Sequence, residues 1–293
     1  MNPSEQTAEA LLRQGRVNDC LKQLEASIRK DPADAKLRVF LFQLLCVQGA
    51  WDRAITQLNV AAEMNPANLL MSQVCGPALN CEALRAQVFR GQRSPLVLGE
   101  PEEWVGLMIQ ANQLSATGNE EQAAPLREKA LDQAPAVSGF IDGEPFDWIA
   151  DADPRLGPIL EAVVEGRYYW VPLSRLSRID LDPPADLRDI VWLPARLTFT
   201  NGGSSVALIP TRYPGSESSA DDAIRLARKT EWAEGPGGLF TGLGQRLFVT
   251  GRGEESGEHA ILETRLIGFG AEPPLPLHAD AEGEAEPAEA TDG

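Results

Sequence analysis

A 34-residue period runs through the N-terminal third of the chain. Gly15 and Gly49 are 34 apart, as are Pro32 and Pro66, Leu11 and Leu45, Leu21 and Ile55, and Leu24 and Leu58. A third copy follows an insertion: Gly118 stands 17 residues before Pro135, as Gly15 does before Pro32 and Gly49 before Pro66. A period of this length is the signature of a stacked helix–turn–helix repeat. Such units bury their apolar faces only against one another, and the scaffold they build presents a concave surface to other polypeptides. The period therefore points to a binder.

In a tetratricopeptide-like unit the first helix ends near the glycine, which accepts positive φ, and the second runs to the proline, which cannot continue a helix. Second helices are predicted from residue 19 to 30 and in its copies. Leu21, Leu24 and Ile28 fall three and four apart, and Ile55, Leu58 and Ala62 repeat them. Cys20, Ala54 and Ala123 share one small-residue position, and Ser27, Ala61 and Ala130 share another, where neighbouring helices approach most closely. Residues 68–90 read as a further helix with Leu79, Ala83, Ala86 and Phe89 on one stripe, broken or kinked at Gly76-Pro77. Residues 91–101 read as a loop, and 102–117 as helix with Trp104, Leu107, Ala111 and Leu114 inward. Residues 1–137 thus form a helical repeat domain.

After Pro135 a period of two replaces 3.6. Val191, Leu193, Ala195, Leu197 and Phe199 alternate with Trp192, Arg196, Thr198 and Thr200; Asn201-Gly202-Gly203 supplies a turn, and Val206, Leu208 and Pro210 continue. Further strands are expected over 167–173, 176–181, 246–250 and 260–269. Asp153-Pro154 reads as the cap of a helix over 155–164, and 186–189 as a single turn. The fold class is α+β and multidomain: the repeat domain, a mostly antiparallel β domain over 138–270, and an acidic tail over 271–293. That tail carries seven carboxylates and no Lys or Arg, and its low apolar content reads as disorder.

A net charge of −17 argues against nucleic acid, because phosphate neutralisation needs surplus Lys and Arg. A basic protein surface is the better partner. No segment has the roughly 20 apolar residues that span a bilayer and none begins as a signal peptide, so a cytoplasmic protein without membrane contact is expected. Cys20, Cys46, Cys75 and Cys81 all fall in the helical part and form no Cys-x-x-Cys pair, which makes them buried thiols rather than disulfides or metal ligands.

Catalytic motifs are scarce. There is no phosphate-cradling Gly-x-x-x-x-Gly-Lys loop, and Gly242-Leu-Gly244 lacks the third glycine of a dinucleotide fingerprint. The two histidines, His259 in a Gly/Glu-rich loop and His278 in the tail, are poor candidates for a positioned imidazole. Asp142, Glu144, Asp147, Asp151 and Asp153 place five acids within twelve residues. Such a cluster can hold Ca²⁺ or Mg²⁺, or serve a metal-dependent hydrolase; the calcium-loop pattern fails because Leu156 stands where glycine is required. Capping and hydration are the ordinary use of such acids, and no metal or cofactor is expected.

Aromatic residues of the β domain are the more informative feature. Tyr168, Tyr169 and Trp170 are consecutive on one strand, so they cannot all face one core. Trp192 lies on the polar phase of its strand, and Arg212-Tyr213 follows the hairpin. Tyr, Trp and Arg dominate interfaces, so Tyr168, Tyr169, Trp170, Trp192, Arg212 and Tyr213 are candidate partner-binding residues. The alternative is a second small core joining the β domain to the helices.

Three strings carry a family resemblance: 36–46 (Lys-Leu-Arg-Val-Phe-Leu-Phe-Gln-Leu-Leu-Cys) with 51–59, then 166–172 (Gly-Arg-Tyr-Tyr-Trp-Val-Pro), and 209–217 (Ile-Pro-Thr-Arg-Tyr-Pro-Gly-Ser-Glu). Over about residues 5–270 the chain resembles the ImpE family, also called TagJ, of bacterial type VI secretion. The resemblance implies a non-catalytic adaptor for the N-terminal helix of the small contractile-sheath subunit, linked to recycling by the AAA+ ATPase ClpV. A generic assembly scaffold is the other non-enzymatic reading.

Overall fold

Glycine decides where the helices turn. Gly15, Gly49 and Gly118 all adopt positive φ, between +69° and +80°, which a side chain resists. Each closes its turn with the same two hydrogen bonds: Gly15, Gly49 and Gly118 donate to the carbonyls of Leu12, Cys46 and Ser115, and the following residue donates to Leu11, Leu45 and Leu114. In the computed structural model, which describes residues 7–100 and 102–270, these turns join α1 (Ala8–Arg13) to α2 (Val17–Lys30), α3 (Ala35–Val47) to α4 (Trp51–Met64), and α6 (Glu103–Ala116) to α7 (Glu120–Gln133). Helices α2, α4 and α7 have 14 residues each. Cys20, Ala54 and Ala123 are all fully buried at the shared small position.

Helix α5 (Leu69–Phe89) runs through Pro77 as one helix rather than ending there. The carbonyl that loses its helical partner is that of Gln73, on the exposed side of the helix. Gly91 then closes α5 with the same turn. No second helix follows; the chain instead gives two residues, β1 (Leu96–Val97), to the sheet, so the loop expected at 91–101 contains a strand.

The sheet half begins with β2 (Gly139–Ile141), β3 (Glu144–Phe146), β4 (Trp148–Asp151), β5 (Ile159–Val164), β6 (Arg167–Pro172) and β7 (Leu176–Leu181). The hairpin β8 (Trp192–Phe199) and β9 (Ser204–Pro210) forms around Asn201-Gly202-Gly203 as expected. After the one-turn α8 (Asp222–Arg225) come β10 (Thr230–Glu234), β11 (Phe240–Gly244), β12 (Leu247–Arg252), β13 (Glu255–Ala260) and β14 (Leu266–Phe269). Nine strands make one sheet in the order β1-β6-β5-β9-β8-β7-β14-β2-β3. Every pairing among them is antiparallel except β1 with β6. Strands β13-β12-β4 make a second sheet, and β10-β11 a ribbon. The described chain is thus α+β, helices first and a mostly antiparallel sheet after.

Both faces of the large sheet are covered. Leu160, Ala162, Val164, Leu193, Ala195 and Ile209 enter the β core, whereas Ile159, Val163, Tyr168, Trp170 and Trp192 pack with helical residues. The period-two pattern therefore does not separate core from solvent here; it separates two cores.

Two expectations fail for local reasons. The helix expected over 155–164 is a turn followed by β5. Asp153 caps that turn by accepting from the Arg155 amide, Gly157-Pro158 stops it, and the apolar run after Pro158 pairs with β6. The strand expected over 260–269 is interrupted at 261–265, where Glu263 and Thr264 donate backbone N–H bonds to the Ala260 carbonyl and the Thr264 hydroxyl joins them. The acidic tail at 271–293 and His278 lie outside the described residues. No described helix is long and apolar enough to cross a membrane.

Candidate functional site

The joint between the halves is built on charges that the sequence pattern hides. Glu161 sits on the helix-facing side of β5 and is fully buried. Arg85 of α5 grips it through two bonds, Nε to Oε1 at 2.7 Å and an Nη to Oε2 at 3.0 Å. Tyr168 donates its hydroxyl to Oε1 at 2.5 Å, Trp170 donates its indole N–H to the Tyr168 oxygen at 2.8 Å, and Arg246 pairs with Oε2. Arg246 also reaches Asp151 at 2.6 Å and the Pro210 carbonyl at 3.0 Å. One turn before Arg85, Glu82 accepts the Trp192 indole N–H at 2.7 Å.

Burial works against ionised Glu161, but Arg85 and Arg246 outweigh it and hold the carboxyl down to about 2. Burial pushes Asp151 up to about 7 against the pull of Arg246. Both Glu161 oxygens carry two donors each, so no lone pair is left for a substrate or metal. Burial likewise raises all four thiols, with Cys20 up to about 12 and Cys75 and Cys81 up to about 11, which removes them as nucleophiles. This is a fastening rather than a catalytic constellation.

The segment from Arg212 to Arg228 extends the fastening to the repeat turns. Arg212 donates to the carbonyls of Val47 at 2.8 Å and Cys46 at 3.2 Å, closing the C-terminus of α3 with a cation. Asp222 accepts from the Val17 amide at the start of α2, and Arg228 donates to Leu12 and Arg13 at the end of α1. Glu217 lies against Gly49 so closely that a Cβ there would sit 2.5 Å from its Cγ.

The candidate partner-binding residues are mostly inside this joint. Tyr168, Trp170, Trp192, Arg212 and Tyr213 are buried, and Tyr169 is half-buried. Trp192 was expected on the polar side of its strand; that side meets helices, where its ring lies 5.9 Å from that of Trp51. Tyr168, Trp170, Trp192 and Arg212 therefore hold the halves together instead of facing solvent, and Tyr213 is enclosed within the sheet half, where Gly242 leaves room for its ring. Glu161, Arg85 and Arg246 escaped the sequence reading. The one signal was a lone carboxylate inside the apolar run Ile-Leu-Glu-Ala-Val-Val.

The five clustered acids scatter to separate tasks. Asp142 accepts from the Arg265 and Leu266 amides, Glu144 is exposed on β3, Asp147 accepts from Gly253, Asp151 pairs with Arg246, and Asp153 binds Arg155 and the Gly242 amide. Among the described residues no three His, Cys, Asp or Glu side chains are grouped to hold a metal. Gly242 and Gly244 lie on β11, not at a helix start, and His259 lies on β13 with Nε2 3.1 Å from the Thr250 hydroxyl.

One open apolar surface lies on α5. The first half of α5, residues 69–81, has no charged residue, and Leu69, Leu70 and Val74 are exposed. Leu70, Met71 and Val74 face Trp192, Pro194, Val206 and Leu208 across a groove of about 350 Å³. Leu70 is 71% and Val206 65% exposed, so both rims of the groove present apolar side chains to solvent. A helix that is apolar all round belongs in a core, and α5 has only part of one.

Residues 143–267 match the ImpE protein family. A type VI secretion system accessory component, TagJ of Pseudomonas aeruginosa, is 51% identical over 264 residues, which is 89% of this chain and 90% of that protein. The X-ray crystal structure of a Vibrio parahaemolyticus protein superposes with a TM-score of 0.79 at 24% identity, over 90% of this chain and 98% of that one. At that identity the likeness concerns the fold.

Proposed function

The chain belongs to the ImpE family, and from that membership we propose that it is a non-catalytic adaptor of the bacterial type VI secretion system. Its partner in this reading is the N-terminal helix of the small contractile-sheath subunit, and it works beside the AAA+ ATPase ClpV in sheath recycling. The groove between α5 and strands β8 and β9 is the observation that carries the reading. Apart from Arg188 its walls are apolar, and its rim is exposed, as helix-in-groove recognition requires. An enzymatic reading finds no support in the joint, where Glu161, Asp151, Arg85 and Arg246 are paired with one another.

The test is retention of the sheath small subunit, with and without its first helix, on the immobilised chain. Binding is expected only with the helix present, and equal retention of both forms sinks the reading. Leu70→Asp and Val206→Asp should each weaken binding by at least tenfold, on the order of 1.4 kcal/mol. Full binding by both variants would move the site away from this groove.

A further inference from the structure

A second apolar groove, of about 370 Å³, lies on the opposite part of the joint, between the end of α7 and strand β4. Leu131, Pro135, Ala136, Trp148, Pro154 and Pro158 line it. Trp148 is 42% exposed and Leu131 40% exposed. The indole ring lies over Gly251, its cross-strand partner, where a Cβ would come within 2.3 Å of Nε1. Gly251 thus fixes the ring flat on β12, and the indole N–H has no hydrogen-bond partner among the described residues. The groove offers apolar surface, three prolines and one idle donor.

That inventory suits a polyproline segment, which carries free carbonyls and few N–H groups and is extended before it binds. The chain's own sequence contains one. The sequence after Gly270 reads Ala271-Glu272-Pro273-Pro274-Leu275-Pro276-Leu277. Strand β14 runs antiparallel to β2, and the Gly270 amide donates to the Ser138 carbonyl at 3.0 Å. Ser138 is two residues from Ala136 and three from Pro135 in the groove's lip, and β14 is heading toward them. Gly270, with φ of +115°, bends the chain at that point. Five residues at about 3.1 Å each span roughly 16 Å, enough to lie across a groove that begins there.

We propose that Pro273–Leu277 docks in this groove in cis, with the Trp148 indole N–H donating to one of its carbonyls. The proposal is independent of the sheath reading, since it concerns a different groove and the chain's own residues. The experiment uses the full chain labelled with 5-fluorotryptophan, which gives six fluorine resonances. Trp148→Phe identifies the Trp148 signal. The variant Pro273→Ala/Pro274→Ala/Pro276→Ala should shift that signal alone, by more than its linewidth, while the other five report an unchanged scaffold. A synthetic 271–280 peptide added to the variant should move the signal back, and the same peptide with alanines should not. Superimposable spectra of the variant and the parent overturn the proposal. So does a Trp148 signal that follows protein concentration and ignores the tail, which would give the groove to a second copy.

Discussion

The helical half and the sheet half reach the same burial by opposite means. In the helices three copies of one turn, closed by the same pair of hydrogen bonds, set Leu, Ala and Cys into a core. In the sheet half the interior holds Glu161, Asp151 and Arg246, and the bonds that satisfy Glu161 and Asp151 join residues 76, 85 and 95 positions apart in sequence. The helical half is therefore specified by neighbours along the chain, and the joint by residues that meet only when the whole chain has folded. A repeat unit can be altered and still recognise its neighbour; the joint has one solution.

The largest effect that tests this contrast is Glu161→Gln. It removes the anion that Arg85 and Arg246 share, leaving Arg246 with Asp151 alone and Arg85 with Glu82 at 3.6 Å, and should cost about 3–5 kcal/mol in urea unfolding. Helical circular dichroism and tryptophan fluorescence should lose their signals in one transition; two separated transitions would show that the halves are independent after all. The pH dependence has a fixed sign. Glu161 is held down to about 2 from an ordinary 4.5, so its contribution is present above about 4.5 and is lost as pH falls toward 2. That acid limb should flatten in the glutamine variant.

Arg212→Ala comes next. It removes donors to the carbonyls of Cys46, Val47 and Arg225, and should cost about 2–3 kcal/mol. Hydrogen exchange should locate the loss at the end of α3, in the helical half, although the mutation lies in the other; protection unchanged at 44–48 would refute the cap. Gly242→Ala drives a methyl into the Tyr213 ring and should cost about 1–3 kcal/mol by thermal melting, confined to the sheet half. The smallest effect is expected at Leu70→Ser, within about 0.5 kcal/mol of the parent, because the side chain is open. A larger loss would mean that the groove is structural.

How far the sequence discloses this depends on the distance over which each interaction acts. Gly15, Gly49 and Gly118 announce their turns because a positive φ is a local demand, and Asn201-Gly202-Gly203 announces its hairpin likewise. The segment 155–164 misleads because its apolar run suits a helix or a doubly buried strand, and only pairing with β6 decides. Trp192 misleads because alternation marks two sides of a strand without saying that the second side meets helices. Tyr168, Trp170, Arg212 and Tyr213 are conspicuous as residue types, and the alternative use as packing is the one the burial supports. The open groove on α5 leaves no mark in the sequence beyond the charge-free stretch 69–81; that its partner wall is Val206 and Leu208 depends on topology.

Arg85 has a consequence for how the chain is made. Its guanidinium finds Glu161 76 residues later, and Glu161 shares that carboxylate with Arg246, another 85 residues on. At about 5–20 residues per second, the ribosome takes roughly 8–32 s to travel from Arg85 to Arg246. Closure of the seam therefore requires the last strands to have left the exit tunnel, because the carboxylate that Arg85 grips is completed only when Arg246 arrives.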